Sequence, residues 1–391
     1  LAVGAILFDI VFTTFNFMRA STTGLVAQAF GAGDLETQRV VLYRSLLLSL
    51  ALGMLTLLVA PLILTSGLWA MDVPSAVAEA TATYFSIRIL AAPLTLTNYS
   101  ILGWMLGQGR ATLGLGLQTV LNGSNIALSI WLGLVLGYGI EGVAWATVMA
   151  EALTATAGLV IVFFNYRGLA IPSSALMLNR AALLRLVVVN RDIMIRSFCL
   201  LFAFAFFTAQ GAKFGETTLA ANAVLMNFFL VSGYFLDGFA TAAETLAGRA
   251  VGARYRPAFD NAVRLTLIWG FVLAGLLTVA FFALGPSLID LLTTSEPVRS
   301  EARSYLFWAA MTALAGVVAF QMDGVFIGAT WSVEMRNMML VSLAIFLATW
   351  WIAVPLIGNH GLWLALNVFL GIRGITLYWR MMSKREQEFA V

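Results

Sequence analysis

The chain reads as an all-α polytopic membrane protein, and three observations predict it. Of its 391 residues 61% are hydrophobic and only 10% charged, with a mean hydropathy of +0.93. That is too little charge to cover a water-soluble protein of this size. The apolar runs are continuous rather than alternating, which selects helices over barrel strands. The sequence also repeats itself at an offset of 221 residues. Gly103-Trp104-Met105-Leu106-Gly107 aligns with Gly324-Val325-Phe326-Ile327-Gly328, Gly31-Ala32 with Gly252-Ala253, and Tyr84 with Tyr305. Further on, Gly142-Val143-Ala144-Trp145-Ala146 matches Gly361-Leu362-Trp363-Leu364-Ala365 with a slip of two. A duplicated membrane unit points to a transporter.

Taken in order, the runs place spans near residues 3–30, 40–65, 80–106, 112–136 and 142–165, then 190–212, 217–248, 264–292, 304–329, 337–356 and 360–380. Each is long enough for the roughly 20 residues a bilayer requires. At the repeat offset, the counterpart of the apolar segment from Arg191 to Gly211 would precede Leu1, which itself sits inside an apolar run. The expectation is therefore eleven of twelve helices, with helix 1 missing. They divide into an N-lobe over 1–165 (helices 2–6), a polar cytoplasmic linker over 166–189, and a C-lobe over 190–391 (helices 7–12). Six spans return the chain to its starting side, so the two six-helix bundles are parallel repeats.

The formal net charge is +3 and the pI about 9.2, and the placement of the basic residues explains both. One set of loops holds Arg39, Arg44, Arg110, Arg167, Arg180, Arg185 and Arg191. It continues with Arg249, Arg254, Arg256, Arg264, Arg336, Arg380, Lys384 and Arg385, whereas the alternate loops hold little beyond Lys213, Arg299 and Arg303. The positive-inside rule makes the rich set, and the C-terminus, cytoplasmic. Basicity thus reports topology and not a nucleic-acid partner. Cys199 is the single cysteine and His360 the single histidine, so neither a disulfide, a zinc site nor a Ser-His-Asp triad can form within the chain. Gly31-Ala32-Gly33-Asp34 lacks the lysine and the preceding strand of a phosphate loop. The chain is expected to be no enzyme and to need no cofactor or metal beyond a transported coupling ion.

Polar residues inside spans are then the candidate functional positions. Asp9, Thr13, Asn16, Ala20 and Thr23 share one face of the first span, beside Arg19. Asn122, Asn125 and Ser129 form a second stripe, and Thr147 and Glu151 an i, i+4 pair. In the second half, Asp237, Thr241 and Glu244 share a face, and Asp323 precedes the Gly324/Gly328 pair. A charge at mid-bilayer costs at least ~2.5–3.5 kcal/mol, so such side chains face partner helices or a wet cavity. A carboxylate kept away from cations can carry a proton, and one beside Arg88 or Arg249 would hold helices together. The glycine pairs are small-xxx-small faces that let helices approach closely.

Several of these segments resemble one family. Arg19-Ala20-Ser21-Thr22-Thr23-Gly24-Leu25-Val26-Ala27-Gln28-Ala29-Phe30-Gly31-Ala32 resembles the second helix of multidrug and toxic compound extrusion (MATE) transporters of the DinF-like branch. Asn190-Arg191-Asp192-Ile193-Met194-Ile195-Arg196-Ser197 resembles that branch's entry to helix seven. Asn222-Ala223-Val224-Leu225-Met226, Leu236-Asp237-Gly238-Phe239-Ala240, Asp323-Gly324-Val325-Phe326-Ile327-Gly328-Ala329-Thr330 and Glu334-Met335-Arg336-Asn337 continue the likeness. The family's coupling aspartate on helix one falls in the absent segment. A second family acid, four residues after an asparagine on helix five, is replaced here, since Asn125 is followed by Ser129.

The resemblance implies two bundles around a central cleft in the bacterial inner membrane. It also implies a secondary antiporter that exports amphipathic or cationic drugs in exchange for protons or sodium, and a monomer is the default expectation. Asp237, Glu244 and Asp323 are the coupling candidates, and Arg19, Thr23, Asn122, Asn125, Ser129 and Asn222 the cavity-lining candidates. The rival reading is a flippase for lipids or lipid-linked oligosaccharides, which would need a more basic interior than Arg19, Arg88 and Arg373 provide.

Overall fold

The computed structural model describes Phe8, residues 11–70 and residues 74–390. Nine helices among them are long and apolar enough to cross a membrane. The predicted spans fall on helical stretches among the described residues, and two of these stretches are not among the nine. The first, α1 (Phe17–Gly31), lies in the predicted 3–30 span. In the 112–136 span α5 (Ala111–Leu128) gives way to a π-helical stretch over Ser129–Val135. The chain clusters into two compact units, Leu1–Asn190 and Arg191–Val391.

In the first unit, α2 runs over Leu35–Ala70. Next come α3 (Ser75–Arg88), a 3-10 turn at Ile89–Ala91 and α4 (Ala92–Gly107). Pro93 explains the break: its ring clashes with the carbonyl four residues back, at Ile89, and it offers no N–H. Gly53 of α2 tucks against this kink, where a Cβ would fall 2.4 Å from Pro93 Cα. After α6 (Gly139–Asn165) the polar connector is held down, with Arg39 donating to the Ala170 carbonyl and Arg44 to those of Leu176 and Met177. The connector is shorter than the sequence suggested. Helix α7 starts at Arg180 and runs to Ala212, so the unit boundary falls inside it.

The second unit continues with α8 (Glu216–Gly252), α9 (Arg256–Leu292), α10 (Glu296–Gly328), α11 (Ser332–Ile357) and α12 (Asn359–Glu388). Its core packs Phe207, Leu225, Phe346, Trp363 and Phe369, all essentially inaccessible. The first unit packs Val26, Ile101, Trp104 and Met105 in the same way.

The repeat is visible contact by contact. A Cβ on Gly324 would lie 2.1 Å from the Ala240 carbonyl oxygen, and one on Gly328 2.0 Å from that of Glu244. In the first unit Gly103 meets the Arg19 carbonyl at 2.5 Å and Gly107 that of Thr23 at 2.8 Å. Both partners of each contact shift by the same 221 residues. Gly142 likewise sits on the Leu132 carbonyl, and Gly361 on that of Ala353. The turns after the paired helices repeat too. Asp34 N–H donates to the Ala29 carbonyl as Tyr255 N–H does to that of Ala250. Gly33, with φ +70°, occupies the left-handed position that Arg254 takes at +51°.

Helix α2 starts on a cap. The Asp34 carboxylate accepts Thr37 N–H at 2.9 Å and Thr37 Oγ1–H at 2.5 Å, which holds its pKa below the ordinary carboxylate value. The cap's contribution is therefore full above that ordinary value and lost as pH falls through the lowered one.

The glycine contacts carry a prediction. Gly328→Ala should destabilise the detergent-purified protein by about 1–3 kcal/mol, because the added methyl overlaps backbone that cannot retreat. Gly238→Ala, with open space at its Cβ, should leave the thermal midpoint nearly unchanged. Equal midpoints for the two variants would show that the α8–α10 crossing tolerates separation.

Candidate functional site

The α8–α10 crossing sets the chemistry of the second unit. By placing Gly324 against Ala240, it brings Asp323 level with the turn of α8 that carries Asp237. Asp323 is 8% exposed and lies between two arginines. Arg196 of α7 donates to its Oδ2 at 2.7 Å, and Arg373 of α12 donates to the same oxygen. Arg373 is itself only 2% exposed. Asp237 acts on the Arg373 guanidinium electrostatically, yet it is exposed and forms no salt bridge among the described residues. Two arginines and two aspartates thus make a locally neutral quartet drawn from four helices. Low dielectric makes that neutrality a requirement, since a buried charge without its partner is costly.

The other second-unit candidates divide by accessibility. Glu244 is 2% exposed at the helix crossing, with its carbonyl against Gly328. Asn222 is 3% exposed and exchanges amide hydrogen bonds with Asn359 at 2.9 Å while accepting from Trp363 Nε1 at 2.8 Å. Those bonds fasten α8 to α12 inside the core. Asp192 forms a separate cluster, accepting from Arg191, Arg336 and Ser332. Here two of the quoted family segments meet, Asn190–Ser197 and Glu334–Asn337, and their shared role is to clamp α7 to the start of α11. His360 accepts from Trp308 Nε1 at 3.1 Å, which makes it a packing residue.

The first unit has its own buried acid. Glu151 is 8% exposed and accepts Asn98 Nδ2–H at 2.6 Å. Arg88 acts on it only through space, since that guanidinium donates to Tyr84 Oη at 2.6 Å and stacks 3.7 Å from the Phe8 ring centre. One turn before Glu151, Thr147 Oγ1 accepts Asn125 Nδ2–H at 2.9 Å. The two amides therefore line one face of α6, with Ser129 half-buried at the start of the π-helical stretch. Asn122 is exposed on the same helix. Arg19 is half-buried and donates to Asn16, and Thr23 is buried with its hydroxyl on the Arg19 carbonyl. Asp9 lies outside the described residues. Glu151 and the Arg196–Arg373 pair are buried or half-buried polar positions that residue-by-residue reading undervalued. The available signal was Arg373 itself, because a mid-span arginine demands a carboxylate nearby.

A family model described as MatE matches residues 1–131 and 193–352. DNA damage-inducible protein F of Escherichia coli (strain K12) is 39% identical over 396 residues, covering 100% of this chain and 85% of that protein. Protein DETOXIFICATION 44, chloroplastic, of Arabidopsis thaliana is 25% identical over 77% of this chain and 57% of its own length. Among solved structures, a MOP superfamily transporter from Pyrococcus furiosus superposes with a TM-score of 0.90 at 18% identity, covering 99% of this chain and 88% of that one. A multidrug resistance MATE family transporter in its outward-facing conformation gives 0.87 at 19%, with 100% and 89% covered. At such identities the likeness speaks for the fold.

The quartet predicts a stability pattern. Asp323→Asn should cost about 3–5 kcal/mol by leaving Arg373 and Arg196 without their shared carboxylate. Adding Arg373→Met should return most of the loss in a thermal unfolding series, since a well-packed apolar side chain replaces the stranded charge. A double variant no better than the single one would show that the pair does not act as a unit.

Proposed function

The chain belongs to the MatE family, whose members are transporters and not enzymes, and we propose that it is a secondary antiporter exchanging protons for amphipathic, cationic organic compounds. It is a multi-pass membrane protein with the MATE fold. The observation that carries the reading is Asp237, an exposed carboxylate midway along the 37-residue α8. At that depth a charge is tolerated only where water reaches it.

Protonation of Asp237 changes the quartet's net charge from zero to +1. A cationic substrate beside a protonated Asp237 is repelled by Arg373, whereas a deprotonated Asp237 offers it a counter-charge. Proton and substrate then compete for one site, and competition at one site is what exchange requires. Glu151, buried against an amide, is the corresponding candidate in the first unit. One proton crossing ~150 mV supplies about 3.5 kcal/mol, enough for a few-hundredfold gradient of a neutral solute. The names of the relatives, a multidrug resistance transporter and detoxification proteins, support substrates of this kind. The basic loops support a cytoplasmic C-terminus.

In everted vesicles, a proton gradient should quench a fluorescent cationic dye through the wild-type chain, and a protonophore should abolish the quenching. Asp237→Asn, which mimics the protonated acid, should remove proton-driven uptake and weaken dye binding, and Glu151→Gln should reduce uptake. If Asp237→Asn transports normally, the coupling acid lies elsewhere. If neither protons nor sodium drive uptake by the wild-type chain, antiport of this substrate class is wrong, and a lipid-translocation assay follows.

A further inference from the structure

Helices α9 and α12 of the second unit both pack closely on α10 but leave a groove between themselves. Gly270 of α9 brings its backbone against Val317 and Gln321, and Gly374 of α12 does the same against Val318 and Ala319. Such close seating leaves the outer faces of α9 and α12 as walls and Val318 as part of the floor.

The groove has a charged mouth and an apolar interior. At the mouth Arg385 of α12 donates to Asp260 of α9 at 3.0 Å, which sets the two helices in antiparallel register. From that pair inward, Arg264 with Met381 and then Leu267 with Tyr378 line a cavity of about 560 Å³. It continues past Phe271 and Tyr378 to Val318, Ile375 and Trp379, where a further cavity of about 340 Å³ shares three lining residues with the first. From Asp260 to Phe271 the helix rises ~16 Å, about the depth of one leaflet of a ~30 Å hydrocarbon core.

Charge separates this groove from an ordinary lipid-facing crevice. Asp260 also accepts a longer contact from Arg256, at 3.6 Å. Arg264 is exposed, and its recorded side-chain bond is to the neutral Asn261 amide, at 3.3 Å. Among the lining residues, Arg264, Arg385 and Asp260 leave the mouth with a net charge of +1. A groove of the first unit shows the contrast. Leu132, Trp145 and Met149 line a cavity of about 360 Å³ there, but the charged residue among its walls is Glu141.

We infer that the α9–α12 groove is a binding site for an anionic phospholipid of the leaflet on the Arg264 side. The phosphate is held between Arg264 and Arg385, and one acyl chain lies along Leu267, Phe271, Val318 and Ile375. Tyr378 and Trp379 supply amphipathic rings of the kind that sit between polar headgroup and hydrocarbon. This site lies apart from the quartet and does not depend on the proposed exchange.

The test uses the purified full-length chain, depleted of lipid in detergent and then given dioleoylphosphatidylglycerol or dioleoylphosphatidylcholine. Retained lipid is counted by native mass spectrometry. The wild-type chain should retain phosphatidylglycerol in preference to phosphatidylcholine. Arg264→Gln should weaken that retention about fivefold, the effect of one basic residue at an anionic surface. Ile375→Trp, which fills the interior without changing charge, should weaken it as well. Arg167→Gln, which removes an exposed arginine of the first unit, should have no effect. Equal retention of the two lipids by the wild-type chain would overturn the proposal, as would wild-type behaviour of Arg264→Gln. Retention unchanged by Ile375→Trp would reduce the site to a phosphate contact and overturn the lipid assignment.

Discussion

One helix crossing, backbone against backbone, organises each unit. Helices approach this closely only where a side chain is absent, and in lipid such packing replaces the hydrophobic drive that water would supply. In the second unit Gly324 and Gly328 let α10 lie directly on α8. Everything polar in that unit follows from the approach. Asp323 is carried to the level of Asp237, Arg196 and Arg373 converge on it from α7 and α12, and Glu244 is enclosed. In the first unit Gly103 and Gly107 play the same part against α1, but the residues facing them are Arg19 and Thr23 in place of Ala240 and Glu244. The duplicated scaffold is thus conserved in its contacts while its chemistry has diverged.

The acids illustrate how one fold gives carboxylates different tasks. Asp192 has three partners and no exposure, and it ties helix ends together. Asp323 has two arginines and serves as an anchor. Asp237 is exposed, with only a through-space link to the Arg373 guanidinium. Glu151 has an amide and a more remote arginine.

The spans, the duplication and the glycine contacts were legible in the sequence because each rests on a short-range rule. Hydrophobic run length gave the helices, and a constant offset gave the paired crossings. Partner identity was not legible. Nothing in the neighbourhood of Asn222 announces Asn359 and Trp363, which come from a helix 137 residues away. Nor does any local pattern show that Asp323 is claimed by Arg196 and Arg373, instead of Arg88 or Arg249. The connector was misjudged for a related reason. Its arginines and polar residues resemble a loop, but from Arg180 onward they form the solvated first turns of a helix that later enters the membrane.

The turn that follows the π-helical stretch at Ser129–Val135 bears on how the two halves drifted apart. Leu132 and Ala353 still correspond at the original offset, while Gly142 and Gly361 correspond two positions short of it. The first half therefore holds two surplus residues between those points. The turn between the paired helices is correspondingly longer in the first half, residues 136–138 against Gly358 alone. Downstream, α6 keeps its seat, because Gly142 still rests on the Leu132 carbonyl. Residues added to such a turn leave both flanking helices seated as before. Length changes at this corner are then heritable without cost to the bundle, whereas the same two residues placed inside the α1–α4 crossing would rotate every contact out of phase.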